Sequence, residues 1–192
     1  MAIKAIDKRR LTDEEIDDIH NEVQMLQKCD HPNVVNYFET YDDNRFIYLC
    51  MELCRGGELL EKFTDKSKKF TEARAASVAH QLLSALNMIH SMGIIHRDIK
   101  PENIMFDAQG DDGTVKFIDF GLACQMKSGY LDCAGTPYYL APEVLTNVYD
   151  VKCDVSSIVP YLPLNVIIRF GLGCICSTLS PRIMVTPSLS LT

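Results

Sequence analysis

Asp98 and Asn103 stand five residues apart in the stretch "HRDIKPEN", with Lys100 between them. Twenty-one residues past Asp98 comes "DFG" at Asp119, Phe120 and Gly121, and "APE" closes at Glu143, twenty-four residues past Asp119. Upstream, Lys4 lies in "AIK" and Glu22 in an acidic segment. Carboxylate and amide oxygens are hard donors that suit magnesium, and lysines clamp anionic groups. Any one of these triplets is a weak signal. Their joint order and spacing is a specific one.

These residues need elements to hold them. "MAIKAID" alternates apolar and polar residues as a strand does, which places Lys4 on a strand. In "LTDEEIDDIHNEVQMLQKC", Thr12 with Glu15 forms a capping box, and Ile16, Ile19, Val23 and Leu26 recur at helical spacing. Glu22 therefore rides on a helix that "HPN" ends. "VVNYFE" and "FIYLCMEL" read as paired strands around the turn "TYDDNR". "TEARAASVAHQLLSALNMIHSMG" predicts a long, largely buried helix that stops at Gly93 and leads into the loop of Asp98. Short strands follow at "NIMF" and "VKFID", the second delivering Asp119.

With those motifs in that order, the chain resembles the eukaryotic protein kinase family from Ala2 to about Val155. "CMELCRGGEL", "HRDIKPEN" and "GTPYYLAPEVL" look most like the calcium/calmodulin-dependent and calcium-dependent serine/threonine branch. The resemblance implies transfer of the ATP γ-phosphoryl group to a protein hydroxyl, with ATP and Mg2+ as cofactors. It implies that Lys4 holds the α- and β-phosphates with Glu22 as its helix partner, and that Asp98 receives the substrate hydroxyl. Lys100 would neutralise the transferred phosphate, Asn103 and Asp119 would ligate the metal, and Met51 would be the gatekeeper. Glu52 to Cys54 would form the hinge that meets adenine. Thr136 would bond near Asp98, Glu58 would meet a basic residue upstream of the acceptor in a protein substrate, and Arg97 would meet an anion on the activation segment. Ser128 and Tyr130 are candidate phosphoacceptors there, and Asp154 would brace the catalytic loop. His96 reads as a packing residue, His31 as a turn residue, and His20, His80 and His90 show no ligand spacing.

The implied fold is α+β: a partial two-lobed kinase domain over residues 1–155, its small lobe about 1–54 and its large lobe about 55–155. Relative to the family pattern, the first strands, the glycine-rich loop and most of the helical lobe are missing. That reading expects little kinase activity from this polypeptide, and keeps a noncatalytic binding or regulatory module, or a product without function, as alternatives. Residues 156–192 form a divergent apolar tail: all 26 Asp and Glu and all but two of the 19 Lys and Arg precede it. Pro160 and Pro163 are expected to spoil the helix that carries Asp154, since proline lacks the N–H and clashes with the preceding turn. Glu143 is expected to lack its usual arginine, with Arg182 in no matching context.

A formal net charge of -7 argues against a nucleic-acid-binding surface. The eight cysteines read as mostly reduced, pointing to an intracellular, cytoplasmic setting. The least polar stretch, 158–179, contains Pro160, Pro163, Asn165 and Arg169, which argues against a membrane span. No EF-hand loop or calmodulin-binding segment is evident, so calcium or calmodulin control is implied by the branch alone.

Overall fold

In the computed structural model, residues 1–65, 70–110, 113–126 and 131–158 are described. The N-terminal part is β1 (Ala2–Asp7), α1 (Asp13–Lys28), β2 (Tyr37–Asp42) and β3 (Phe46–Met51). These strands form an antiparallel sheet in the order β1-β3-β2, with a register shift in β2 between Tyr37 and Glu39. β3 is central because its sequence can be buried: Ile47 and Leu49 are fully enclosed, while β1 and β2 alternate with exposed positions. β2 begins three residues later than "VVNYFE" suggested, because Val34 and Val35 instead run beside Phe117.

The sequence-predicted capping box opens α1. Thr12 Oγ1 accepts from the Glu15 amide at 3.3 Å, and Glu15 Oε2 accepts from the Thr12 amide at 2.8 Å. The face bearing Ile19, Val23 and Leu26 is buried, and Glu22 is buried with it.

The remainder is mainly helical: α2 (Leu59–Thr64), α3 (Glu72–Ser91) and α4 (Lys152–Ile158), with short strands β4 (Ile94–Ile95), β5 (Ile104–Phe106), β6 (Val115–Phe117) and β7 (Cys124–Gln125). β4 pairs with β7 and β5 with β6, both antiparallel. Gly93 ends α3 in the left-handed region at φ 72°, its amide donating to the His90 carbonyl at 2.9 Å. Glycine takes that conformation without the clash a Cβ would bring. This sharp stop feeds the chain straight into β4 and then Asp98. Among the described residues the architecture is a mixed α/β fold with three open sheets.

One apolar cluster ties the parts together: Leu26 of α1, Ile47 and Leu49 of β3, Leu82, Leu86 and Ile89 of α3, and Phe106, Phe117 and Phe120. Burying each such side chain contributes about 1.5–3 kcal/mol. A second cluster gathers Ile95, Leu131, Val144 and Tyr149 around Cys153.

α4 runs past the composition break. Ser156, Ser157 and Ile158 continue the helix, with Ile158 in the main core and Ser157 Oγ donating to the Tyr139 carbonyl at 2.9 Å. Glu143 also has a partner, since Ser156 Oγ donates to its Oε1 at 3.4 Å. The structure thus places in the fold two serines that do not fit the family's sequence pattern. Pro160, Pro163 and Arg182 lie outside the described residues, as do Ser128 and Tyr130. Among the described residues no helix is long and apolar enough to cross a membrane. The six described cysteines are thiols, none of them in a disulfide.

Candidate active site

Two charge clusters are linked where the Ile118 amide, next to Asp119, donates to the Asn103 carbonyl at 3.1 Å. In the first, β1 presents Lys4, α1 presents Glu22, and the residues after β6 present Asp119. Lys4 Nζ lies 2.9 and 3.1 Å from the two Glu22 oxygens and 3.4 Å from Asp119 Oδ1. Glu22 is 4 % exposed, whereas Asp119 stays 42 % exposed, so Asp119 has an open side for a further cation. Burial works against the Lys4 charge, but Glu22 and Asp119 outweigh it and raise the ammonium above its ordinary range. Burial raises the Glu22 carboxyl, Lys4 opposing and Asp119 adding. For Asp119, burial is outweighed by Lys4 and by the Gly121 amide, and its carboxyl titrates low.

The second cluster is built on the loop between β4 and β5. Asp98 Oδ2 accepts from Lys100 Nζ at 2.7 Å and from Asn103 Nδ2 at 2.9 Å. Its Oδ1 accepts from the Thr136 amide at 3.0 Å and the Thr136 hydroxyl at 2.6 Å. Burial pushes Asp98 up, yet Lys100, Thr136 and Asn103 together hold its carboxyl below the usual range. Gly135 makes the Thr136 contact geometrically available. At φ 123° its backbone passes so close that a Cβ would meet the Arg97 carbonyl at 2.5 Å.

Asp154 fixes this loop from below. It is 1 % exposed and accepts from the His96 amide, the Arg97 amide and His90 Nε2, each at 2.8 Å. Arg97 adopts φ 68°. A non-glycine residue holds that left-handed conformation only under such constraint. Its guanidinium Nε donates to the Leu122 carbonyl at 2.6 Å, and no anion on the activation segment meets it among the described residues.

A cleft of about 300 Å3 opens beside the first cluster, lined by Ala2, Lys4, Val35, Met51, Glu52, Leu53, Cys54, Met105, Ile118 and Asp119. Its walls are mostly apolar at the Met51 end and charged at the Lys4 end, which suits a flat ring carrying an anionic tail. All three hinge residues singled out in the sequence line it, and so do Lys4 and Asp119. A search against protein-family models matches residues 1–161 to the protein kinase domain. The chain belongs to that family.

Relatives place this kinase domain within a branch. It is 42% identical over 165 residues to calcium-dependent protein kinase 5 of Plasmodium berghei (strain Anka), covering 84% of this chain and 29% of that protein. It is 43% identical over 160 residues to calcium-dependent protein kinase 4 of Arabidopsis thaliana, covering 81% and 32%. It is 43% identical over 159 residues to calcium/calmodulin-dependent protein kinase type 1 of Caenorhabditis briggsae, covering 82% and 44%. The chain thus spans less than half the length of these curated relatives. By family it is a eukaryotic serine/threonine kinase domain, closely related to the calcium-dependent and calcium/calmodulin-dependent kinases.

That family in general binds ATP with magnesium, and the donor set of this kinase domain is compatible. Asn103 uses its amide nitrogen on Asp98, at the carboxylate and at the backbone carbonyl 3.0 Å away, leaving the amide oxygen without a protein donor among the described residues. Asp119 offers carboxylate oxygen. One or two such ligands plus phosphates are what magnesium takes, so the absence of a three-residue metal cluster among the described residues is consistent.

The structure adds site residues that the motifs do not mark. Lys116, 5 % exposed on β6, reaches Glu52 Oε2 at 3.0 Å and so ties the hinge to the strand leading to Asp119. Glu102 accepts from the Tyr139 hydroxyl at 3.2 Å, while its other oxygen is buried with no hydrogen-bond partner among the described residues. Glu102 sits within "KPEN" and was legible by position; Lys116 carries no local signal.

His96 supports a pH prediction. Its ring packs on Phe120 at 4.8 Å and Phe117 at 5.2 Å, and burial lowers its pKa against the opposing pull of Asp154, Asp119 and Asp98. Unfolded, the ring takes a proton as the pH falls through about 6.5; folded, it stays neutral to lower pH. The unfolded chain therefore binds the extra proton, and stability present above about pH 6.5 is lost on acidification. His31, lowered by burial and by Lys116, acts in the same direction. Urea midpoints are expected to fall between about pH 7.5 and 5.5, less steeply for His96→Gln. Equal slopes in both proteins would exclude His96 as a source.

Proposed function

We propose that this chain is the ATP-dependent catalytic part of a serine/threonine protein kinase, passing the γ-phosphoryl group of ATP to a protein hydroxyl. The observation that supports it most is the convergence of Lys4, Glu22 and Asp119 at the charged end of an apolar cleft, close to the Asp98 loop. The nucleotide would lie between the sheet part, about residues 1–54, and the helical part from 55 through at least Ile158. Adenine would meet the backbone of Glu52 to Cys54 beside Met51, and Lys4 would carry the α- and β-phosphates with Glu22 holding its ammonium in place.

Asn103 and Asp119 would hold magnesium, which when bound neutralises phosphate charge. Asp98 would orient the substrate hydroxyl. A carboxylate held below its usual range is a weak base, so its contribution is alignment and negative charge, with the proton accepted late. Lys100 Nζ, 2.7 Å from Asp98 Oδ2, is placed to compensate phosphate charge as it develops on the acceptor side. Such a preplaced cation stabilises charge without reorganising during the reaction. Glu58 would meet a basic residue upstream of the acceptor, and the setting would be the cytoplasm.

Mg·ATP is expected to raise the melting temperature of the purified chain, and Lys4→Met is expected to abolish that shift while also lowering the unliganded melt, since Glu22 is left buried beside Asp119 without its cation. Peptide phosphorylation by these residues alone should be slow. β1 has one unpaired edge among the described residues, so the phosphate end of the cleft is open to water. A wild-type chain that melts normally and ignores Mg·ATP would refute the kinase reading.

A further inference from the structure

The Lys4 cluster contains two carboxylates that repel each other about one ammonium, so their relative position has to be held from outside. Glu22 belongs to α1 and Asp119 follows β6. The chain segments behind them meet at one side chain of α3. Gln81 Oε1 accepts from Asn33 Nδ2 at 2.9 Å and from the Val115 amide at 3.0 Å. Asn33, 4 % exposed in the loop that follows α1, also donates from Nδ2 to the Val115 carbonyl at 2.8 Å. Val115 is the first residue of β6. A single amide oxygen therefore joins the loop after α1, the helix α3 and the start of the strand that leads to Asp119.

Backbone bonds extend the joint on one side only. The Phe117 amide donates to the Asn33 carbonyl at 3.0 Å, and the Val35 amide to the Phe117 carbonyl at 2.9 Å. These link loop to strand; against α3 the pair is otherwise held by apolar packing of Val34 and Phe117 on Leu82 and Leu86, and by Arg74 Nη2 donating to the Gly113 carbonyl at 2.7 Å ahead of β6. Besides Gln81, the polar tie from this loop to α3 among the described residues is His31 Nε2 with Ser84 Oγ at 3.1 Å, three residues further along the helix. That bond lies at an exposed edge, where water competes for it.

We propose that Gln81 is a positioning residue: its side-chain oxygen sets where the loop after α1 and the start of β6 sit on α3, and thereby the spacing of Glu22 and Asp119 about Lys4. The functional part of this inference rests on the kinase reading above. Its structural part does not.

The test turns on the fact that Gln81 uses only its oxygen at both contacts. Gln81→Glu keeps an acceptor for both donors. Gln81→Met keeps the length and removes it. The Lys4 amine signal would be recorded by NMR at one neutral pH after reductive 13C-methylation, assigned with Lys4→Arg, and Mg·ADP affinity measured by calorimetry. Gln81→Met is expected to move the Lys4 signal toward that of a solvent-exposed lysine and to weaken Mg·ADP binding roughly three- to tenfold, about 0.7–1.4 kcal/mol. Gln81→Glu is expected to match wild type in both. Should Gln81→Met fail to fold, Gln81→Asn, whose oxygen falls one methylene short, gives the same comparison. An unchanged Lys4 signal in the acceptor-deficient variant, or equal defects in the Glu and Met variants, would overturn the proposal. If wild type binds no Mg·ADP, the kinase reading fails, and the position of the Lys4 signal still decides the role of Gln81.

Discussion

Asp154→Ala is expected to cost the domain about 4–6 kcal/mol, because three donors lose one buried acceptor at once. The His96 and Arg97 amides and His90 Nε2 each lie 2.8 Å from this carboxylate, which is 1 % exposed. The two amides lie in the turn after β4, where rotation toward water would pull Ile95 and Ile99 from their buried sites. Leaving such groups unpaired costs about 1–3 kcal/mol each, and bonds to a charged acceptor lie at the upper end. A domain margin of about 5–15 kcal/mol does not absorb that comfortably. Arg97 sharpens the effect, since its left-handed φ of 68° persists only while both flanking contacts hold it. Strain of that kind lasts only where the surroundings over-determine it. Asp154→Asn should fall between, retaining one oxygen but turning an N–H toward other donors. Denaturant titration and hydrogen exchange at His96 and Arg97 would measure this. An alanine variant within about 1 kcal/mol of wild type, with both amides still protected, would refute it.

Asp98→Asn is expected to lower phosphoryl transfer by roughly 10^2- to 10^4-fold while changing Mg·ATP affinity less than about twofold. The carboxylate accepts from Lys100, Asn103 and both Thr136 donors. An amide supplies one oxygen in place of two. Its NH2 must face either Lys100 and Asn103 or Thr136, all of them donors. The substitution therefore removes the negative charge and disorganises its neighbours, yet leaves Lys4, Glu22 and the hinge untouched. Single-turnover transfer to a basic serine peptide, beside nucleotide calorimetry, separates the two effects. Transfer that survives within about tenfold of wild type would show that Asp98 does not hold the acceptor.

The parts legible in the sequence were those written locally. Thr12 with Glu15 and the apolar spacing from Ile16 to Leu26 announced α1, a long run closed by Gly93 announced α3, and the motif order marked Lys4, Glu22, Asp98, Asn103 and Asp119. Elements of two to six residues, such as α2, β4 and β7, are too short to show a period. Ties between distant segments were equally silent. Nothing around Lys116 signals that it is buried against Glu52, and nothing around Gln81 signals that one oxygen serves two strangers in sequence. The change of composition after Val155 was visible, but its structural meaning was not. Ser157 Oγ returns a bond to the Cys153 carbonyl of its own helix at 3.1 Å. A serine hydroxyl can be satisfied in that way, so α4 continues through residues that look like an ending.

Sequence separation also gives the site a timetable. Lys4 and Glu22 are 18 residues apart, Lys4 and Asp119 115, and His96 and Asp154 58. At a synthesis rate of about 5–20 residues per second, roughly 6–23 s pass between the making of Lys4 and the making of Asp119. Through that interval Glu22 is the nearer of its two acids to exist. Counted from its own synthesis, the loop bearing Asp98 waits roughly 3–12 s for the carboxylate that shapes its backbone. On the ribosome, the residues with the most chemistry to do are the last to reach their places, and a chain stalled before Asp154 would carry every motif of the site with no anchor beneath the loop.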